Sequence, residues 1–363
     1  MKALWMREVD WVLVGVTVLL TAYGMVILVS ATHGSPDAPA FLRARVLHLL
    51  IGTGALVAAA VFDYRRLGGR WPIVYLGTLA LLASVFVVGE SRLGAQRWLS
   101  LGPLGTLQPS ELAKLAIIVT LARHLDQVKA LPRLRSLFPF LAHVGVPMLL
   151  ILKQPDMGTA MVLIAILPAM LYVGGARARD LGTIALGGAA AVPFLWNFLH
   201  DYQRRRLIAF LDPGADPLGA GYALIQSKIA IGSGQLFGKG LFAGTQNLLR
   251  FIPEQHTDFI FTVVGEELGL IGGTVLLVLY AVWLWRALAI AADARDRLGG
   301  LIATGVATMV AFHVIINVGM TIGLLPITGI PLPFLSYGGS ALLATLAGTG
   351  LLLSIGLRRR VGR

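Results

Sequence analysis

The stretch Phe251-Ile-Pro-Glu-Gln-His-Thr-Asp-Phe-Ile-Phe-Thr-Val-Val-Gly-Glu-Glu-Leu-Gly269 sets His256, Asp258, Glu266 and Glu267 against or inside an apolar run. Charge in such a run is costly to place and usually has a function. Asp258 stands just before Phe-Ile-Phe-Thr-Val-Val, so its carboxylate falls at the mouth of the helix that the run predicts. Two chemistries are open to it. Thr257 or Asp258 can cap the helix, since both side chains accept from the free amide N–H groups of a helix start, and position alone favours this. A carboxylate so placed can also take a proton as a general base. Glu266 is about 12 Å further along the helix and roughly 80° round it. It is therefore predicted, with Glu267, to anchor neighbouring segments through hydrogen bonds, while Gly269, Gly272 and Gly273 permit close packing.

Glu111 and Lys114 form a second cluster, three residues apart on one face of a helix that Pro109-Ser110 starts and caps. The spacing suits an intrahelical ion pair, and it equally suits a Lys114 that offers a point charge to a diphosphate. Arg92, Arg97, Arg204, Arg205, Arg206 and Lys239 are further cations that suit a diphosphate head or anionic membrane lipids. Gly232-Ser-Gly-Gln-Leu-Phe-Gly-Lys-Gly240 is not a Walker A loop. Gly234 and Gly238 are one residue too close, and Gly240 stands where Ser or Thr must follow Lys239. Its glycines predict tight turns, with Lys239 a candidate phosphate contact. Gln154-Pro-Asp-Met-Gly-Thr159 reads as a turn whose Asp156 joins a structural hydrogen-bond network. His313 and Asn317, four apart, read as a buried polar pair. Pro331-Leu-Pro-Phe-Leu-Ser-Tyr-Gly-Gly-Ser340 carries two prolines that deny it regular helix, so an ordered turn is predicted there.

The elements that must position these groups are membrane helices. Hydrophobic residues make up 56% of 363, charged ones 13%, and mean hydropathy is +0.79, more apolar surface than one soluble core can hide. Runs near the roughly 20 residues that span a bilayer recur at 11–31, 46–62, 71–89, 110–122, 138–152, 157–175, 181–199, 259–285, 300–325 and 336–357. They predict an all-α polytopic protein of about ten transmembrane helices in one domain, 1–363. Its long loop, 200–258, is expected to carry a short interfacial helix at Gly221–Ile231 striped by Tyr222, Ile225, Ile229 and Ile231.

The net charge of +12 does not point to nucleic acid, because the basic residues lie between the apolar runs. They crowd one side: Lys2 and Arg7; Arg65, Arg66 and Arg70; Arg123, Lys129, Arg133 and Arg135; Arg177 and Arg179; Arg286, Arg295 and Arg297; Arg358, Arg359, Arg360 and Arg363. This places both termini in the cytoplasm and loop 200–258 outside. The first run reads as an anchor, not a cleaved signal. With no cysteine there is no disulfide, thiolate metal site or cysteine nucleophile. A serine transpeptidase is excluded, since no Ser-x-x-Lys occurs with its partner motifs.

Taken together, the Phe251–Gly269 and Gln154–Thr159 stretches, Gln226–Gly240, Pro331–Ser340, Gln96-Arg-Trp98 and Gln108-Pro-Ser-Glu-Leu-Ala-Lys114 occur in order along nearly the whole chain. The sequence thereby resembles the SEDS (shape, elongation, division, sporulation) family of bacterial cell-wall membrane proteins, its elongation members above all. The resemblance implies a peptidoglycan glycosyltransferase that polymerises lipid II on the outer face of the cytoplasmic membrane, releasing undecaprenyl diphosphate with inversion. It places the family's proposed catalytic aspartate on Asp258 and reverses the preference for a cap. Expected substrate contacts are Lys114, Glu111, Arg97, Trp98, Lys239 and Ser340, with a divalent cation (Mg or Mn) as a candidate assistant. A class B penicillin-binding protein transpeptidase is the expected partner. A division-type polymerase, a lipid II flippase and a noncatalytic scaffold are the alternatives.

Overall fold

A computed structural model of the chain describes residues 9–92, 95–100, 102, 105–128, 130–131, 133–198, 201–215, 219 and 221–358. Lys2, Arg7, Lys129, Arg359, Arg360 and Arg363 lie outside these. Among the described residues, ten long helices stand at the ten predicted places: α1 (Trp11–Ala31), α2 (Ala38–Val61), α3 (Trp71–Val88), α4 (Pro109–Asp126), α5 (Phe138–Lys153), α6 (Met157–Val173), α7 (Ala178–Leu195) and, after two shorter helices α8 (Asp201–Leu211) and α9 (Tyr222–Gly234), α10 (Ile260–Ala292), α11 (Arg297–Thr321) and α12 (Gly339–Arg358). Seven segments are long and apolar enough to cross a membrane, and α6 is a shorter apolar helix. α4 differs because it carries Glu111, Lys114, Arg123 and Asp126.

α11 and α12 form the centre, with 72% and 78% of their apolar windows buried against 11% for α2. They pack with α4 through Ile117, Ile118, Val306, Met309 and Leu346. At the end where α1 starts and α12 stops, ion pairs lace the helices: Arg286 to Asp10 at 2.5 Å and Arg65 to Asp296 at 2.7 Å. The opposite end, the site end, is irregular.

Three features there depart from expectation. Between α3 and α4 the chain forms a small antiparallel sheet, β1 (Glu90–Arg92), β2 (Ala95–Ser100) and β3 (Thr106–Leu107), in the order β1-β2-β3; the fold is thus nearly, not wholly, α. The sheet pairs backbone groups that the segment would otherwise leave open. Loop 200–258 carries α8 as well as the expected helix. α9 also packs on protein, through Leu224, Ser227, Ala230 and Gly234, while Ile229 of the interfacial stripe stays exposed. Small residues win that face because α9 lies directly on α10: a Cβ at Gly234 would stand 1.9 Å from the Gly265 carbonyl oxygen.

α10 is broken at Gly269, where φ is 64° and ψ −160°, a region essentially restricted to glycine. The break frees backbone groups, and the chain after α9 takes them up. Leu270 N–H donates to Gln235 O at 2.8 Å and Ile271 N–H to Leu236 O at 3.1 Å, while Lys239 and Gly240 N–H donate to Glu266 O and Glu267 O at 3.0 Å each. The two carboxylates pin the same hairpin. Glu266 accepts from Lys239 Nζ at 2.8 Å and from the Gln246 and Asn247 N–H groups at 3.0 and 3.3 Å. Glu267 accepts from Ser30 Oγ at 2.5 Å and Asn247 Nδ2 at 2.9 Å. Gly269→Ala is accordingly expected to destabilise the protein by about 1–3 kcal/mol through strain alone, since its Cβ would also lie 2.4 Å from Gly238 N. Thermal unfolding in detergent, compared with Gly273→Ala whose Cβ has room at 3.5 Å, checks this; equal melting temperatures would contradict it.

Candidate functional site

A cavity of about 1250 Å³ opens at the site end, larger than the roughly 300–1,000 Å³ of an ordinary small-molecule site. Arg97, Trp98, Glu111, Lys114, Asp258 and Ser340 all line it. Lys239 does not: its ammonium bonds Glu266 and, at 2.8 Å, Thr245 Oγ. The expected substrate contact at Lys239 is corrected to a hairpin anchor.

Asp258 sits in the turn before α10. The residue that caps α10 is Phe259, with no side-chain cap bond, so neither Thr257 nor Asp258 serves as the cap. The carboxylate faces the cavity. Burial pushes it up to about 6, with Glu254 adding to the rise and Arg206 and Arg97 opposing it. Gly329, at φ 74°, closes against it: a Cβ there would stand 3.2 Å from Asp258 Oδ2 and 3.7 Å from Arg206 Nη1. The Asp258 backbone is held as firmly. The carbonyls of His256, Thr257 and Asp258 accept, in turn, from Tyr337 N–H at 2.8 Å, Ser336 Oγ at 2.6 Å and Asn317 Nδ2 at 2.8 Å. The second Asn317 Nδ2–H goes to Ile330 O at 2.8 Å.

Asn317 is on α11; Ser336 and Tyr337 come from the segment between α11 and α12, which the prolines keep out of helix as predicted and which dips into the bundle. Arg45, fully buried on α2, holds it there by donating to Ser336 O at 2.8 Å, Leu335 O at 3.3 Å and Phe334 O. Tyr280 donates to Pro333 O.

Lys114 lies at the cavity floor, 1% exposed. Its ammonium bonds Glu111 at 2.8 Å and His313 Nε2 at 2.9 Å. His313 Nδ1 is 2.6 Å from Met309 O, so Nδ1 carries the proton and Nε2 accepts from the lysine. Both Glu111 carboxylate oxygens lie 2.8 Å from the ammonium, so a ligand contact would share or replace one of these partners. His313 and Asn317 thus do not pair with each other; each holds a site residue. Ser110 does not cap α4, whose cap residue Gln108 makes no side-chain cap bond; its hydroxyl donates to Asp156 at 2.8 Å. Asp156 also accepts from Gln108 Nε2 at 2.9 Å and Thr159 N–H at 3.1 Å, which makes it the structural node that was expected. Arg97 on β2 donates to the carbonyls of Gln154, at 3.1 Å, and Pro155, and Ser340 Oγ accepts from Gln108 N–H at 2.9 Å.

The structure adds residues that the motifs did not single out. Gln203, Arg206 and Leu207 line the cavity from one face of α8. Their i, i+3, i+4 spacing was in the sequence, but with α8 read as loop, Arg206 could not be separated from Arg204 and Arg205. Arg204 in fact turns away, to the carbonyls of Trp196 and Asn197. His48, His256 and Tyr337 form an aromatic edge with Phe41, at centroid distances of 4.8 to 6.0 Å.

Comparison with known proteins places this geometry. The family model for FtsW, RodA and SpoVE, cell cycle proteins, matches residues 10–361. The chain is 40% identical to the peptidoglycan glycosyltransferase MrdB of Escherichia coli strain K12 over 362 residues, covering 99% of this chain and 97% of MrdB. A solved structure of a peptidoglycan synthase complex that coordinates polymerization and crosslinking aligns at TM-score 0.84 and 35% identity, over 97% of this chain and 99% of that one. The crystal structure of the Thermus thermophilus rod shape determining protein RodA aligns at TM-score 0.73 and 32% identity, over 97% and 98%.

Proposed function

The chain belongs to the FtsW, RodA and SpoVE family of cell cycle proteins, and from that premise we infer that it is a membrane-embedded peptidoglycan glycosyltransferase of the elongation type. Its substrate on this reading is lipid II, polymerised at the outer face of the cytoplasmic membrane. The observation that carries the reading is a single large cavity in which one carboxylate, raised to about 6, faces Arg97 and Arg206 with Lys114 at the floor.

In the proposed reaction the Asp258 carboxylate takes the proton of a sugar hydroxyl on one lipid II. The hydroxyl oxygen bonds to the anomeric carbon of the lipid-linked sugar of another, on the face opposite the leaving group. The bond from that carbon to the diphosphate oxygen breaks, its electron pair leaves with undecaprenyl diphosphate, and configuration inverts. A base near pH 6 accepts the proton better than an ordinary aspartate near 4. Lys114, Arg97 and Arg206 stabilise the charge that grows on the diphosphate, where a low-dielectric site makes them most effective. Trp98 and Ser340 complete the wall, and Glu111 holds Lys114.

The donor set does not make a cage for Mg or Mn. Among the described residues no three His, Asp or Glu side chains form a group that could by itself hold a metal ion, and arginines already face Asp258. No step is routed through a metal here. A flippase would need a polar path through the bundle, whereas below Lys114 the packing is Ile117, Ile118, Val306 and Met309, all buried; this favours the polymerase.

The purified protein with lipid II is expected to make glycan strands at a rate that rises with pH through a midpoint near 6 and levels above it, because only the deprotonated carboxylate accepts the proton. Arg206→Leu removes a cation that favours the charged form, so its midpoint moves up. Lys114→Arg keeps more activity than Lys114→Ala. A flat profile from pH 5 to 7 would contradict the assignment of the base.

The same reading gives the chain a single-pass class B penicillin-binding protein as partner, since glycan must be crosslinked by chemistry the chain lacks, and puts both termini in the cytoplasm. A cysteine at the exposed Asp212 should then react with an impermeant thiol reagent applied to spheroplasts, one at the exposed Arg295 should not, and the partner should co-purify in mild detergent. The reverse labelling would overturn the orientation, and repeated recovery of the chain alone would overturn the partnership.

A further inference from the structure

His313 and Asn317 stand one turn apart on α11, about 6 Å along its axis. Both are at most 5% exposed. His313 Nε2 accepts a hydrogen bond from the Lys114 ammonium at 2.9 Å, and Asn317 donates to the Asp258 carbonyl at 2.8 Å. Lys114 and Asp258 belong to α4 and to the turn before α10, far apart in sequence, and α11 packs against both helices. One rigid helix face therefore touches both reacting ends of the cavity. Asn317 is tied a second time, to Ile330 O at 2.8 Å, in the wall that closes against the carboxylate. His313 is tied through Nδ1 to Met309 O of its own helix. Neither side chain is free to turn, so each transmits the position of α11 to its partner.

We propose that His313 and Asn317 are positioning residues that set the separation between the Asp258 carboxylate and the Lys114 ammonium, and through it the rate of glycosyl transfer. The proposal rests on the reading of Asp258 as base and Lys114 as diphosphate contact. Its physical basis is that a base and a charge stabiliser act on one transition state, so an error of about 1 Å in their relation costs about 10²-fold in rate. Substrate binding is spread over the whole cavity wall and is little affected by that error. A role in stability alone would lower the melting temperature and leave the kinetics of the folded protein unchanged.

The test uses purified full-length protein and lipid II, with kcat, KM and melting temperature measured for each variant. Asn317→Leu is similar in volume and has no donor; it is expected to lower kcat 10- to 100-fold with KM within about threefold. His313→Leu removes the acceptor from Lys114 and is expected to lower kcat similarly, while His313→Gln, whose amide oxygen can accept from the same ammonium, restores kcat to within about fivefold of the parent. Near-parental kcat in a folded Asn317→Leu protein overturns the proposal, as does a loss that appears only in KM. Should Asn317→Leu fail to fold, the His313 pair decides: equal kcat in His313→Leu and His313→Gln also overturns it. If the parent protein itself shows no rise in rate through pH 6, the underlying assignment of Asp258 fails instead, which is a different result from parental kinetics in the α11 variants.

Discussion

Backbone that leaves the helix inside a membrane has no water to bond to, and every N–H and C=O it frees must be met by protein. The site end of this chain depends on meeting that constraint twice. The hairpin after α9 is accepted by the broken α10, whose Glu266 and Glu267 take its amides and side chains. The segment before α12 is met by Arg45 and Asn317 and by its own Ser336 hydroxyl. Polar side chains that look expensive in apolar helices thus hold irregular backbone in place. Asp258 hangs between the two segments, with three successive carbonyls fixed and its carboxylate turned to the cavity.

The same arrangement explains the electrostatics. Protein atoms around Asp258 remove water and raise its pKa to about 6, and the arginines on β2 and α8 prevent a larger rise. At the floor, Lys114 pairs with Glu111 and donates to His313 Nε2; a buried ammonium needs such partners, because an unpaired one would cost several kcal/mol. The cavity therefore sets Arg97, Arg206 and Lys114 around one tuned carboxylate, an arrangement suited to a diphosphate-bearing substrate and a proton acceptor.

Much of this was legible in the sequence for definite reasons. Apolar runs near bilayer length placed the ten long helices, and the prolines of Pro331–Ser340 marked the dipping segment. Asp258 was open between cap and base until the structure gave the cap to Phe259. The sheet between α3 and α4 was not legible, because strands this short carry no periodicity. Lys239 misled since its glycine-rich setting looks alike whether it meets a ligand or Glu266, twenty-seven residues on. Arg206 and the roles of His313 and Asn317 depend on contacts between distant segments, and no local pattern encodes those.

The central claim is that Asp258 is the general base. The most direct measurement is lipid II polymerisation by purified Asp258→Asn protein, folded and partner-competent, in which the near-isosteric amide keeps the packing but cannot accept the hydroxyl proton. The account predicts a loss of about 10²–10⁴-fold or more in rate, the usual contribution of such a base. Glycan synthesis within a few fold of the parent would contradict it, and would send the search to Glu254 and Glu111 on the same cavity wall.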